Sequence, residues 1–283
     1  MFIETTAIMS KVEHPDLPLG KDSDYPTTYM PSLLRSLDRT QLRATLGMAG
    51  RLPFQGEDTW NCYEFSWLNA KGRPDVGLVK VRVPCNSGAI VESKSLKLYL
   101  NSFSQTVFAT RAELLTTLNS DLSLAFRAPV MIDLLDVEQT PEPVVQMPGR
   151  SLDDLDVDVE VYHWCPDMLE VDAGAVTVRQ THHTHLFRSV CPVTGQPDWA
   201  SVMVQYVGHR IPPESLLRYL VSFRNHAAFH ETTIEQIFLD LTQRCAPQHL
   251  TVYGRFLRRG GIDINPYRST DGSTSMSVRL VRQ

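Results

Sequence analysis

Part of this chain recurs about 120 residues further on, and that repetition constrains the fold before any single motif is weighed. Lys71-Gly72-Arg73-Pro74-Asp75 precedes an alternating apolar pattern over 76–83, and Thr194-Gly195-Gln196-Pro197-Asp198 precedes a matching one over 199–207. Each predicts a tight turn inside a β-hairpin. Next, Leu98-Tyr99-Leu100-Asn101-Ser102-Phe103 is matched by Arg218-Tyr219-Leu220-Val221-Ser222-Phe223, both at helical apolar spacing. Thr110 with Glu113, and Thr232 with Glu235, fit the S/T-x-x-E capping box and predict the start of a second helix in each copy. Leu114, Leu115, Leu118 and Leu122 stripe one of these helices; Ile234, Ile237, Phe238 and Leu241 stripe the other. Strand-rich stretches follow at 130–137 in the first copy and at 250–257 and 275–281 in the second. This order predicts an α+β protein of two tandem domains, 1–145 and 146–283, each an antiparallel sheet with two helices on one face. The Pro- and Asp-rich stretch 138–155 is the expected linker.

Composition narrows the function classes. A net charge of -5 over 283 residues argues against a broad nucleic-acid surface, which needs clustered Lys and Arg. The five cysteines are odd in number and contain no CxxC pair, so neither a disulfide framework nor a structural zinc site is expected. Residues 1–20 carry Glu4, Glu13 and Asp16 where a signal peptide needs an apolar run, and no stretch reaches the length of a membrane span. The expectation is a cytoplasmic protein without membrane contact. No GxGxxG follows a strand and no Walker A sequence occurs, which sets aside the Rossmann and P-loop ways of holding a nucleotide.

The differences between the copies point to a site. Counting back from the Gly-x-Pro-Asp turn, the second copy has Cys191 where the first has Leu68. The first copy instead has Glu92-Ser93-Lys94-Ser95-Leu96-Lys97 entering its first helix, where the second has Pro212-Pro213-Glu214-Ser215-Leu216-Leu217. The longer stretch between the helices of the second copy holds His230 and Glu231. Each copy has kept part of a site, so a composite site between them is expected.

Taken alone, each residue also has a plain reading. Cys191 could be a small buried hydrophobe; as a nucleophile it needs a neighbouring base or positive field, since a free thiol has a pKa of ~8.5, and Asp198 and His230 are both candidates. His230-Glu231 could be a polar helix start, but a buried carboxylate is also the group that accepts from a ring N–H and exocyclic amine of a guanine-like edge. Lys94, Lys97, Arg258 and Arg259 could be solvated surface or together a phosphate clamp. His182, His183 and His185 lack a carboxylate or cysteine at ligand spacing, so no metal is expected there.

Glu92 to Tyr99, Cys191 to Trp199, Phe229-His230-Glu231 and Arg258 to Pro266 together resemble the long form of the NADPH-dependent 7-cyano-7-deazaguanine reductases, nitrile reductases of queuosine biosynthesis, a tRNA modification. The resemblance spans nearly the whole chain. It implies tandem tunnelling-fold (T-fold) domains, a homodimer, NADPH as cofactor, no metal, and reduction of the nitrile of 7-cyano-7-deazaguanine to the aminomethyl base. By the resemblance Cys191 is the nucleophile that forms a covalent thioimide and Asp198 the proton donor. Val91, Glu92, Ser93, His230 and Glu231 are implied to contact the substrate, and Ser93, Lys94, Arg259 and Gly260 to contact NADPH. A hydrolase of nitrilase or zinc cyclohydrolase type, and a non-catalytic purine- or pterin-binding module, are the rival classes.

Overall fold

The structure, a computed structural model, describes residues 24–138, 143–172, 174, 176–273, 275 and 278–283. The readings made on residues 1–20, and on 139–142 of the linker, lie outside the described residues. The first copy holds β1 (Ser36–Asp38), α1 (Arg39–Ala44), β2 (Gln55–Leu68), β3 (Pro74–Pro84), β4 (Ala89–Val91), α2 (Ser93–Asn101), α3 (Arg111–Phe126) and β5 (Met131–Leu135). The second holds β6 (Arg150–Ser151), β7 (Val178–Thr184), β8 (Arg188–Val190), β9 (Pro197–Gly208), α4 (Pro213–Ser222), α5 (His230–Cys245), β10 (His249–Phe256) and β11 (Ile262–Ser269).

The repeat is visible in three dimensions. β3 and β9 begin at the prolines of the two Gly-x-Pro-Asp turns, with Leu68 opposite Pro74 and Val190 opposite Pro197. In each copy a tyrosine of the first helix donates to an aspartate of the second: Tyr99 Oη to Asp121 Oδ2 at 2.7 Å, and Tyr219 Oη to Asp240 Oδ2 at 2.6 Å. A second donor joins each pair, Tyr29 Oη in the first and Trp164 Nε1 in the second. Equivalent polar pins at equivalent helix positions are what a duplicated unit would retain.

The two expected sheets are joined edge to edge. β2 pairs antiparallel with β11 from Gln55↔Ser269 to Cys62↔Ile262, giving one continuous sheet in the order β5-β3-β2-β11-β10-β9-β7-β6, with β8 beside β9. All neighbours are antiparallel except β6 and β7. Two cores lie beneath this sheet. Leu96, Tyr99, Leu114, Leu118 and Leu122 pack on Trp60, Val79 and Val81 in one; Leu216, Leu220, Ile234, Ile237 and Phe238 pack on Val202, Val204 and Val252 in the other. Each fully buried aliphatic or aromatic side chain contributes about 1.5–3 kcal/mol. The cores interlock across the copies, since Phe54 and Cys85 belong to the second and Ile262 and Ile264 to the first.

Two local expectations fail for physical reasons. The Thr110–Glu113 box forms, with Glu113 N donating to Thr110 Oγ1 at 3.1 Å and Ala109 N to Glu113 Oε2 at 3.1 Å. The Thr232–Glu235 box does not: α5 starts earlier, at His230, with Phe229 at the N-cap position, and Glu235 is taken by two arginines. The last strand is Ile262–Ser269 rather than 275–281, whose described part makes only an isolated bridge at Arg279. Pro266 argues against a central strand, but β11 tolerates it because β10 pairs only with its far end, Tyr267 to Ser269.

Candidate active site

The strand β8 ends at Val190, and the turn that follows is closed by Cys191 N donating to Gln196 O and Gly195 N to Cys191 O, both at 2.9 Å. Gly195 has φ +72°, a left-handed conformation that suits glycine at this turn. The turn brings Cys191 back beside the start of β9, where Asp198 lies opposite Ser189. Asp198 is a buried residue, 5% exposed, whereas its counterpart in the first copy, Asp75, is paired with the exposed Arg73.

A narrow cavity collects residues from both copies. Ile90, Val91 and Ser93 come from the first, Cys191, Asp198, His230, Glu231 and Arg259 from the second, and Trp60 and Ile264 form the apolar floor where β2 meets β11. The cavity is therefore shared between the copies, as a composite site requires. Cys191 is 4% exposed, a thiol set into the pocket wall rather than on the open surface.

The polar groups of the pocket are linked. Arg259 Nη2 lies 3.0 Å from Asp198 Oδ1, and His230 Nε2 lies 3.3 Å from Asp198 Oδ2. Arg259 Nη1 also donates to Gln196 Oε1 at 2.7 Å, tying the β10–β11 turn to the Cys191 turn. The His230 ring stacks on Phe256 at 3.9 Å between centroids, and its Nδ1 has no hydrogen-bond partner among the described residues. Glu231 is 3% exposed and its Oε1 likewise has no partner. Burial, reinforced by nearby Asp58 and opposed by Arg39 and His230, pushes its carboxyl up to about 7. A buried acceptor without a donor is costly, about 1–3 kcal/mol, unless a ligand supplies one.

Not every residue implied by the resemblance lines the cavity. Glu92 caps α2, its carboxylate accepting from Lys94 N at 2.6 Å and Ser95 N at 2.8 Å, so its oxygens serve the helix that carries Ser93. Lys94 and Gly260 stand outside the lining. Gly260, at φ +57°, leaves the space that the Lys97 side chain crosses, since an added Cβ would lie 3.1 Å from Lys97 Cε. Burial and the neighbouring Arg259 cation lower the Lys97 ammonium, while Glu92 and Asp198 oppose them. Lys97 and Arg259 thus bring two cations close enough to influence one another beside Gly260. Arg258 turns elsewhere, over the Tyr63 ring at 4.8 Å.

Among the described residues no group of three or more His, Cys, Asp or Glu side chains is arranged to hold a metal, and no helix is long and apolar enough to cross a membrane. His182, His183 and His185 are used locally, His183 Nδ1 meeting Pro148 O at 2.9 Å and His185 Nδ1 meeting Ser201 Oγ at 2.7 Å.

Sequence reasoning missed the buried charges behind Glu231. Arg39, Arg43, Asp58, Glu235 and Arg268 form one ion cluster that joins α1, β2, α5 and β11. The i, i+4 spacing of Arg39 with Arg43, and of Glu231 with Glu235, was the available signal.

Comparison with known proteins gives a consistent result. Residues 25–134 match the family described as "Nitrile reductase, 7-cyano-7-deazaguanine-reductase N-term", and residues 197–275 match "QueF-like protein". The chain is 46% identical over 268 residues to the NADPH-dependent 7-cyano-7-deazaguanine reductase of Desulfotalea psychrophila (strain LSv54 / DSM 12343), covering 94% of this chain and 97% of that protein. Among solved structures, the archaeosine synthase QueF-Like in the apo form is 18% identical, with a TM-score of 0.30, and covers 36% of this chain and 99% of that one.

Proposed function

The chain belongs to the NADPH-dependent 7-cyano-7-deazaguanine reductase family, and on that premise we propose that Cys191 captures the nitrile carbon of 7-cyano-7-deazaguanine as a covalent thioimide. The enzyme is an oxidoreductase that uses NADPH to reduce this nitrile to the aminomethyl base in queuosine biosynthesis. The observation that carries the residue assignment is the pocket in which Cys191, Asp198, His230 and Glu231 face Ile90, Val91 and Ser93 of the other copy.

In this mechanism the Cys191 sulfur bonds to the nitrile carbon, one C–N π bond breaks, and the thiol proton reaches the nitrogen through Asp198. Arg259 and His230 hold the two Asp198 oxygens at 3.0 and 3.3 Å and so fix the carboxyl beside Cys191. Glu231 accepts from the ring N–H and exocyclic amine of the base, satisfying the oxygen that lacks a partner. Charge-assisted hydrogen bonds of this kind are worth about 1.5–3 kcal/mol each. Ser93 and Lys94 at the start of α2, with Arg259 and Gly260, would hold NADPH, and Lys97 adds a cation there. Bound there, NADPH would supply hydride, one equivalent for the carbon held by Cys191 and a second for the imine that Cys191 releases. The narrow, apolar-floored pocket keeps that imine from water between the two steps.

A homodimer, which the family resemblance implies, and a cytoplasmic location, which five cysteines without a CxxC pair suit, are part of the proposal. The test is NADPH oxidation by the purified protein with 7-cyano-7-deazaguanine, together with mass spectrometry of the Cys191 adduct. Ammonia release without NADPH oxidation would instead favour a hydrolase.

A further inference from the structure

Behind the pocket, three arginines face two carboxylates in the protein interior. Glu235, one helical turn after Glu231 on α5, accepts from Arg43 Nε at 2.9 Å, Arg43 Nη2 at 2.7 Å and Arg268 Nη2 at 2.8 Å. Asp58 of β2 lies between Arg268, at 2.8 Å, and Arg39, with which it is hydrogen-bonded. All five side chains are buried. Three positive charges against two negative leave one positive charge over, and buried charge of this kind requires compensation. Glu231 is the carboxylate beside it. The charged groups acting on Glu231 are Arg39 of α1, Asp58 of β2 and its neighbour His230, with Asp198 and Arg259 lining the same cavity.

Arg39 differs from the other two arginines in what else it touches. Its Nε donates to Ser87 Oγ at 2.9 Å and its backbone N–H to Gly88 O at 3.1 Å, while Ser87 Oγ donates on to Ala89 O at 2.9 Å. These residues lead directly into β4, and through Ile90 and Val91 into Ser93, the wall that the first copy contributes to the pocket. Its other arm reaches Asp58 and, at 3.6 Å, Glu235 on the helix that carries Glu231. One side chain thus touches the supports of both pocket walls.

We propose that Arg39 is a positioning residue for substrate recognition, which sets the β4 wall against α5 and supplies the charge that keeps Glu231 an ionised acceptor for the guanine-like edge. This inference rests on the reading of Glu231 as the contact to that edge. The upward push of burial on the Glu231 carboxyl, which Arg39 counters, agrees with it. Without the guanidinium, Glu231 would hold a proton at neutral pH and present a donor where the base also presents donors.

The test is steady-state kinetics of the full chain with NADPH and 7-cyano-7-deazaguanine from pH 6 to 9, for the native protein, Arg39→Gln and Arg39→Lys. Arg39→Gln is expected to raise the KM for the nitrile about 10-fold or more at pH 7, the scale of one charge-assisted hydrogen bond. Its kcat should stay within about 3-fold and its KM for NADPH should rise less than its KM for the nitrile, because recognition of the base is weakened most. The acid limb of kcat/KM for the nitrile should move up by about one pH unit, a shift that simple loss of packing does not produce. Arg39→Lys, which keeps the charge, should return that limb to its native position. An Arg39→Gln protein with native nitrile KM and native acid limb overturns the inference. Inactive native protein would instead refute the functional reading beneath it. Should Arg39→Gln not fold, Arg39→Lys and Ser87→Ala carry the test: each should raise the nitrile KM about 3-fold without moving the acid limb, and unchanged KM in both overturns the inference.

Discussion

Arg259 Nη2 stands 3.0 Å from Asp198 Oδ1, so the residue assigned to the cofactor's phosphate also holds the residue assigned to deliver the proton. The contact joins the β10–β11 turn to the Cys191 turn through Gln196 as well. Arg259→Ala should therefore raise the KM for NADPH by about 10–100-fold, the scale of losing one or two charge-assisted hydrogen bonds. It should also lower kcat, because Asp198 loses one of its two restraints. A variant with weakened NADPH binding but native kcat would separate the two roles.

Cys191→Ala should remove the covalent adduct and NADPH oxidation while leaving the fold intact. The side chain is small, so its loss should cost about 1 kcal/mol, a fall in Tm of a few degrees. Intact-protein mass spectrometry with the nitrile checks the adduct, and calorimetry checks the fold.

With Glu231 as the proposed contact to the base, substrate binding should depend on pH in a definite direction. The Glu231 carboxyl is pushed up to about 7 in the free protein, and the base binds the ionised form, so affinity should fall as pH drops below about 7 and level off above 8. Isothermal titration of Cys191→Ala protein with the nitrile, in buffers of different ionisation heat, should show proton release near pH 7. Glu231→Gln should lose both the release and most of the affinity.

The same shift bears on stability. Because the folded value, about 7, lies above the ordinary 4.5, the folded state takes this proton more readily than the unfolded chain. The stability it contributes is present below about 4.5 and is lost as pH rises through 7, a difference of about 3 kcal/mol. Asp58 and Glu235 are held low by their arginines, so their contributions are lost only in more acid solution and do not mask this slope. Chemical unfolding of native protein and Glu231→Gln at pH 5 and pH 8 isolates it: the slope between the two pH values should flatten in the variant.

α5 approaches the sheet closely at Gly254, where an added Cβ would lie 2.6 Å from Ile234 Cδ1 and 3.0 Å from Phe256 Cε2. Gly254→Ala should destabilise by about 1–3 kcal/mol through overpacking and displace His230, which stacks on Phe256. A fall in Tm accompanied by a raised nitrile KM is expected; unchanged values would mean that the helix has room to spare.

The repeat made the architecture legible in the sequence. Gly72-Arg73-Pro74-Asp75 and Gly195-Gln196-Pro197-Asp198 mark hairpins whose geometry is local, and the Leu114–Leu118–Leu122 stripe needs only one helix to be read. What the sequence did not reveal depends on long-range pairing. The β2–β11 junction joins residues 200 or more apart, and β11 is hidden by Pro266, which lies opposite Asp58 of β2 but beyond the stretch that β10 pairs. Cys191, His230 and Glu231 stand out because one copy has them and the other does not, whereas Asp198 has a counterpart in Asp75 and is marked only by its place in the Cys191 turn. Arg39 and Asp58 do not stand out, since a charged side chain in isolation reads as surface, and only the folded cluster shows them buried.

The central claim is that Cys191 captures a nitrile for reduction within a pocket built by both copies, and the stoichiometry of NADPH consumption tests it most directly. Conversion of a nitrile to an aminomethyl group takes four electrons, so the account predicts two NADPH oxidised for each 7-cyano-7-deazaguanine consumed, and none with Cys191→Ala. Turnover of the nitrile by Cys191→Ala at the native rate, or consumption of the nitrile without NADPH oxidation, would contradict it.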